Sequence, residues 1–153
     1  MQKVIKEYLE AFEAGDVEHI ISLFEPDGWV LSPLLGRLSV REFFPKVMAV
    51  SSNIRLTVHD ILVSSKGRSR AVVYFQFEWV LKAGNEVSFE CTNVFTFNPE
   101  TGKLAIVLSR YFATGILKPI QQMETAMQKV ATGDFDAWVP AVSNDELGSL
   151  SDH

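Results

Sequence analysis

The stretch Glu86-Val87-Ser88-Phe89-Glu90-Cys91-Thr92-Asn93-Val94-Phe95-Thr96-Phe97 decides the fold. Its odd positions, Val87, Phe89, Cys91, Asn93, Phe95 and Phe97, share one face. Mostly polar residues occupy the other. That is the period of two of a strand with one buried wall. The same period extends outward, predicting strands over 54–64, 69–82, 86–97 and 103–113. Turns are predicted at Ser65-Lys66-Gly67, Ala83-Gly84-Asn85 and Pro99-Glu100-Thr101-Gly102. In 69–82 the apolar face is Val73, Phe75, Phe77 and Trp79, with Tyr74, Gln76 and Glu78 opposite.

Upstream of Asn53 the period is helical. Val4, Ile5, Tyr8, Leu9 and Phe12 form one stripe, stopped by Gly15. Asp16 is placed to cap a second helix with stripe Val17, Ile20, Ile21 and Phe24. Glu25-Pro26-Asp27-Gly28 reads as a turn, and Trp29 to Ser32 as a short strand. Gly36 reads as a further turn. Ser39-Val40-Arg41-Glu42 reads as a capping box for a third helix, whose apolar face is Phe43, Phe44, Val47 and Met48. Pro45 predicts a kink or a break into two short turns. Helices followed by a run of long strands predict an α+β domain, with three N-terminal helices on one face of a strongly curved antiparallel sheet.

The tail after Thr114-Gly115 has a different pattern. Ile116, Ile120, Met123, Met127 and Val130 step by 4, 3, 4 and 3, the spacing of a coiled-coil seam. Pro119 fits the first turn of a helix over about 116–131, and Gly133 fits its end. Asp145-Glu146 would open a second helix with acid at its positive end. The predicted division is 1–114 and 115–153.

Composition sets bounds. The 153 residues are 47% hydrophobic, enough for one core and an appendage. With a net charge of −5 and no basic cluster longer than Lys66-Gly67-Arg68-Ser69-Arg70, no nucleic-acid partner is expected. Cys91 is the single cysteine, which excludes an intrachain disulfide and makes a reducing, cytoplasmic setting the expectation. Residues 1–13 carry acids and do not read as a signal peptide, and no apolar run is long enough for a membrane span.

Two resemblances follow from these residues. Pro119-Ile120, Gly133-Asp134-Phe135 and Asn144-Asp145-Glu146-Leu147-Gly148 resemble the HAMP domain, the parallel dimeric relay module of bacterial receptors. The resemblance covers 119–153 and breaks off in the second helix, implying an incomplete module and a downstream output domain missing from this chain. Tyr8-Leu9-Glu10-Ala11-Phe12-Glu13-Ala14-Gly15-Asp16, Ile21-Ser22-Leu23-Phe24, Val30-Leu31-Ser32-Pro33, Gly36 and Asn93-Val94-Phe95-Thr96-Phe97-Asn98 resemble the nuclear transport factor 2-like fold. This cone-shaped, cystatin-like superfamily includes SnoaL-like cyclases and ketosteroid isomerases. It implies a cone over about residues 2–113 and, often, dimers formed through the outer sheet face.

The isomerase resemblance implies three groups in the cone: two oxyanion donors and a carboxylate base. Tyr8 stands at one donor position and Asn93 at the other, where an acid is expected. Ser32 stands at the base position and has no suitable pKa. No catalytic residue is therefore assigned. Tyr8, Phe12, Ser32, Phe75, Phe77, Cys91 and Asn93 are the candidate pocket residues, with Trp29 at the rim. His19, His59, His153 and Cys91 share no ligand spacing, so no metal is expected. Without a phosphate loop or nucleotide fingerprint, neither is a cofactor.

Three functions compete. The first is a homodimeric sensory input domain, holding a small apolar ligand and coupling it to the relay helix. The second is a SnoaL-like enzyme using Asp27, Asp60 or His59. The third is a structural dimerisation domain whose cone is filled by Phe75, Phe77, Phe89 and Phe95, among the chain's eleven phenylalanines.

Overall fold

The computed structural model describes residues 1–112. The predicted relay helix, with Ile116, Ile120, Met123, Met127 and Val130, and the boundary at Thr114-Gly115 lie outside the described residues.

Three helices and six strands run in the order α1 (Gln2–Ala14), α2 (Val17–Ser22), β1 (Phe24–Ser32), β2 (Gly36–Ser39), α3 (Val40–Val50), β3 (Ser51–Val63), β4 (Arg70–Leu81), β5 (Glu86–Phe97) and β6 (Leu104–Phe112). They form one sheet in the order β2-β1-β6-β5-β4-β3. Four of its five pairings are antiparallel, and β1 runs parallel to β6. The helices cover one face of this curved, open sheet, as the change of period predicts.

Local chemistry sets the helix ends. Gly15 closes α1 at φ 70°, a left-handed conformation that favours glycine. The Asp16 carboxylate accepts the His19 N–H at 3.1 Å and so caps α2. Ser39 begins α3 differently from the expected capping box. Its hydroxyl donates to the Glu42 carboxylate at 3.0 Å and makes no cap bond to the backbone. Pro45 lies inside α3, which remains a single element. The carbonyl that loses its intrahelical partner belongs to Arg41, an exposed residue on the solvent side of the helix. Burial of Phe43, Phe44 and Val47 holds the opposite face.

Two further elements differ from the sequence reading. Glu25-Pro26-Asp27-Gly28 is an irregularity inside β1, not a turn ahead of it: Phe24 already pairs with Leu104, and the register resumes at Trp29 with Ile106. The Thr101 hydroxyl donates to Glu25 and ties this bulge to the β5–β6 turn. Gly36 opens the short strand β2, which pairs with β1 and escaped notice because four residues are too few to show a period. Shifts of register within β3 and near the end of β5 add curvature.

The core is aromatic. Tyr8 stacks on Phe12 and meets Phe24, Phe44 and Phe95 edge-on, the last at 5.1 Å. Phe77 lies flat on Phe89 at 5.1 Å and edge-on to Trp79 at 5.5 Å. The buried Trp79 Nε1–H donates to Ser51 Oγ at 2.8 Å, and Ser51 in turn donates to the Val47 carbonyl. Such a chain satisfies the polar edge of a large apolar side chain.

Candidate functional site

Between α1, α3 and the inner sheet face lies a cavity of about 50 Å³. Alternation aims the sheet side chains into it: Phe75, Phe77 and Trp79 from β4, and Phe89, Cys91 and Asn93 from β5. Helical spacing brings Tyr8, Leu9 and Phe12 from α1, and Phe43 and Val47 from α3. Val30 and Ser32 arrive from β1, and Ser109 and Tyr111 from β6.

Seven of the eight candidate pocket residues thus share one cavity: Tyr8, Phe12, Ser32, Phe75, Phe77, Cys91 and Asn93. Trp29 does not line it. Val30 and Ser32 point inward, so the intervening parity puts Trp29 on the outer sheet face, beneath the Arg37 guanidinium at 4.0 Å. Sequence reasoning missed Ser109 and Tyr111. The signal lay in the register: Ser109 is opposite Asn93 and Tyr111 opposite Cys91, so both share the inner face.

A short polar seam crosses the apolar wall. Asn93 Oδ1 accepts from Ser109 Oγ at 2.6 Å and from Cys91 Sγ at 3.6 Å. Those bonds orient the amide, and among the described residues no partner engages its Nδ2. Nor does one engage the Tyr8 hydroxyl. Ser32 Oγ accepts the Leu34 N–H at 3.1 Å and lies by the Tyr111 phenol. The isomerase base position is therefore a buried hydroxyl that shapes the turn after β1.

Burial sets the electrostatics. It pushes the Cys91 thiol up to about 12, while contacts with Ser109 and the Arg110 backbone pull weakly the other way. Burial also lifts the Tyr8 and Tyr111 phenols well above their usual range, and Cys91 adds to both. All three stay neutral at physiological pH. Among the described residues the wall carries no carboxylate, imidazole or amine. The carboxylate and imidazole candidates lie elsewhere. Asp27 is exposed in the β1 bulge, and Asp60 is exposed and accepts the Ile61 N–H. His59 packs on Tyr74 at 4.7 Å and faces Glu90 at 3.8 Å. Glu78 is exposed on β4. Among the described residues no three His, Cys, Asp or Glu side chains gather as metal ligands. No described helix is long and apolar enough to cross a membrane.

The sequence model of the SnoaL-like domain matches residues 5–107, and that of the HAMP domain matches residues 111–153. Among curated proteins none matches the chain. Solved structures share the fold. A nuclear transport factor 2-like protein of unknown function from Burkholderia pseudomallei aligns with TM-score 0.65 at 18% identity, over 78% of this chain and 95% of its own. The epoxide hydrolase/cyclase-like enzyme SalBIII, of pyran ring formation in the polyether salinomycin, aligns with TM-score 0.62 at 21% identity, over 74% of this chain and 91% of its own. TerC, co-crystallised with polyporic acid, aligns with TM-score 0.62 at 21% identity, over 78% and 96%.

Proposed function

We propose, for a chain that belongs to the SnoaL-like domain family over residues 5–107 and continues into a HAMP segment, a sensory rather than a catalytic function. The cone is the input domain of a bacterial-type signalling protein, dimeric through its relay, with the two units meeting near Thr114-Gly115. Its ligand is small, with a flat apolar body and one hydrogen-bond acceptor. The aromatic walls suit the body, and the Tyr8 hydroxyl and Asn93 amide suit the acceptor.

One observation carries this reading. The described cavity wall lacks any group able to take a proton near neutral pH, whereas family-type acid–base chemistry requires one. The outer sheet face supports a dimer. Leu62, Val72, Val94, Leu108 and Leu31 lie opposite one another across five strands, an aliphatic row on which a second copy could seat. The enzyme reading is second. Two free donors suit a developing oxyanion, and SalBIII is a cyclase-like enzyme on the same fold, but the base would have to come with the substrate.

Native mass spectrometry of the full chain tests the proposal. The expected result is a dimer carrying a co-purified molecule of defined mass. A monomer at micromolar concentration would remove the relay mechanism. A dimer with nothing bound would favour the structural dimerisation domain, in which aromatic side chains fill the cone.

A further inference from the structure

The geometry points to Tyr111 as the residue that converts occupation of the cavity into movement of the relay segment. This rests on the binding reading above and names how that site is coupled to the HAMP segment.

The first observation is volume. An apolar cavity that admits benzene measures about 150 Å³, and a water needs about 10–15 Å³. At about 50 Å³ the cone admits a few waters and no aromatic ring. A ring-sized ligand therefore enters only if a wall moves.

The second observation is which wall is least braced. Tyr8 is locked among Phe12, Phe24, Phe44 and Phe95. Strands β4 and β5 have a paired neighbour on each side. Strand β6 has two neighbours only as far as Leu108, where its pairing with β1 ends opposite Leu31. From Ser109 to Phe112, among the described residues, only β5 pairs with its backbone, and the Tyr111 phenol is tied to β1 through Ser32 alone. Tyr111 projects from that stretch into the cavity and meets Phe89 edge-on at 4.6 Å. Backbone tied on one side opens at lower cost than backbone tied on both.

The third observation is position along the chain. The HAMP match begins at residue 111, so Tyr111 belongs both to the cavity wall and to the matched segment, a short way ahead of the relay helix predicted from about residue 116. Displacing its ring shifts the end of the strand from which the chain continues toward the relay. Differential contact of the ligand with the two positions of the ring is what biases the output.

The test uses the full chain, with phenol as the probe, and methyl NMR as the readout. Methyls of Val30, Leu34 and Val47 report the cavity, and the Met123 and Met127 methyls report the relay. Phenol should shift both sets along one titration curve. At saturation in each protein, Tyr111→Ala should lose the methionine shifts while the cavity methyls still respond. Tyr111→Phe, which keeps the ring, should restore them. Full methionine shifts in Tyr111→Ala overturn the proposal. So do shifted cavity methyls with silent methionines in the parent chain, a result that leaves the binding reading standing. Unmoved cavity methyls overturn the binding reading, and the coupling with it.

Discussion

Replacing Phe77 with alanine probes the packing of the cone most directly. Phe77 is 8% exposed, with its ring stacked on Phe89, edge-on to Trp79 and Phe12, and part of the cavity wall. Phe77→Ala removes roughly 100 Å³ of side chain, and at about 24 cal/mol per Å³ the void alone costs about 2.4 kcal/mol if nothing collapses. Loss of transfer free energy brings the total to about 3–5 kcal/mol, as for other buried phenylalanines. That is a large share of the roughly 5–15 kcal/mol expected for a domain, yet it leaves the fold standing. Urea unfolding followed by circular dichroism should show the midpoint fall by about 2–3 M, for a slope of about 1.5 kcal/mol per M. The cavity, about 50 Å³ in the parent, should grow to about 150 Å³, the size that binds benzene in an apolar core. Benzene at ten times its dissociation constant should then restore about 1.4 kcal/mol to the variant. The parent should gain far less at the same concentration. A loss below about 1.5 kcal/mol, or a variant indifferent to benzene, would refute the close packing of Phe77 against Phe89 and Trp79.

Three further outcomes are expected. A double-mutant cycle on Asn93→Ala and Ser109→Ala should give a coupling of about 0.5–1.5 kcal/mol for their hydrogen bond, and additivity would show that the bond contributes nothing. Stability should fall as pH rises above 9.0, the ordinary thiol value of Cys91: its folded value is raised to about 12, so the unfolded chain releases the proton first. Tyr8 and Tyr111 act in the same direction, each adding up to about 1.4 kcal/mol per pH unit; stability that is flat from pH 8 to 11 would contradict the burial of all three. Gly28→Ala should destabilise by about 1–3 kcal/mol, because its methyl group would sit 3.0 Å from the Glu25 carbonyl oxygen and from the Phe24 ring; a neutral thermal melt would mean that the β1 bulge yields freely.

Much of the molecule was legible in one dimension. Alternation from Asn53 to Phe112 predicted β3 to β6, because a strand with one buried face repeats every second residue whatever it pairs with. Stripes in α1 and α3 were equally plain, and Gly15 and Asp16 marked the junction between α1 and α2. Six of the cavity-lining residues followed from parity on β4 and β5 and from the position of Tyr8 and Phe12 on α1, and the seventh, Ser32, from the isomerase resemblance. The HAMP segment, too, was readable from Pro119-Ile120 to Leu147-Gly148, and its model matches 111–153.

Only the tertiary structure decided the remainder, since it depends on partners distant along the chain. Pairing with β6 draws Phe24 into β1 and turns Glu25-Pro26-Asp27-Gly28 into a bulge, although those residues favour a turn locally. Trp29 looked like a rim residue until the inward parity of Val30 and Ser32 put it outside. Ser109 and Tyr111 became wall residues only through their register with Asn93 and Cys91. The void itself, small enough that an aromatic ligand must displace a wall, is the remainder after seventeen side chains from separate elements meet. A linear pattern specifies which face each side chain takes; the volume left between faces is set by how the elements pack.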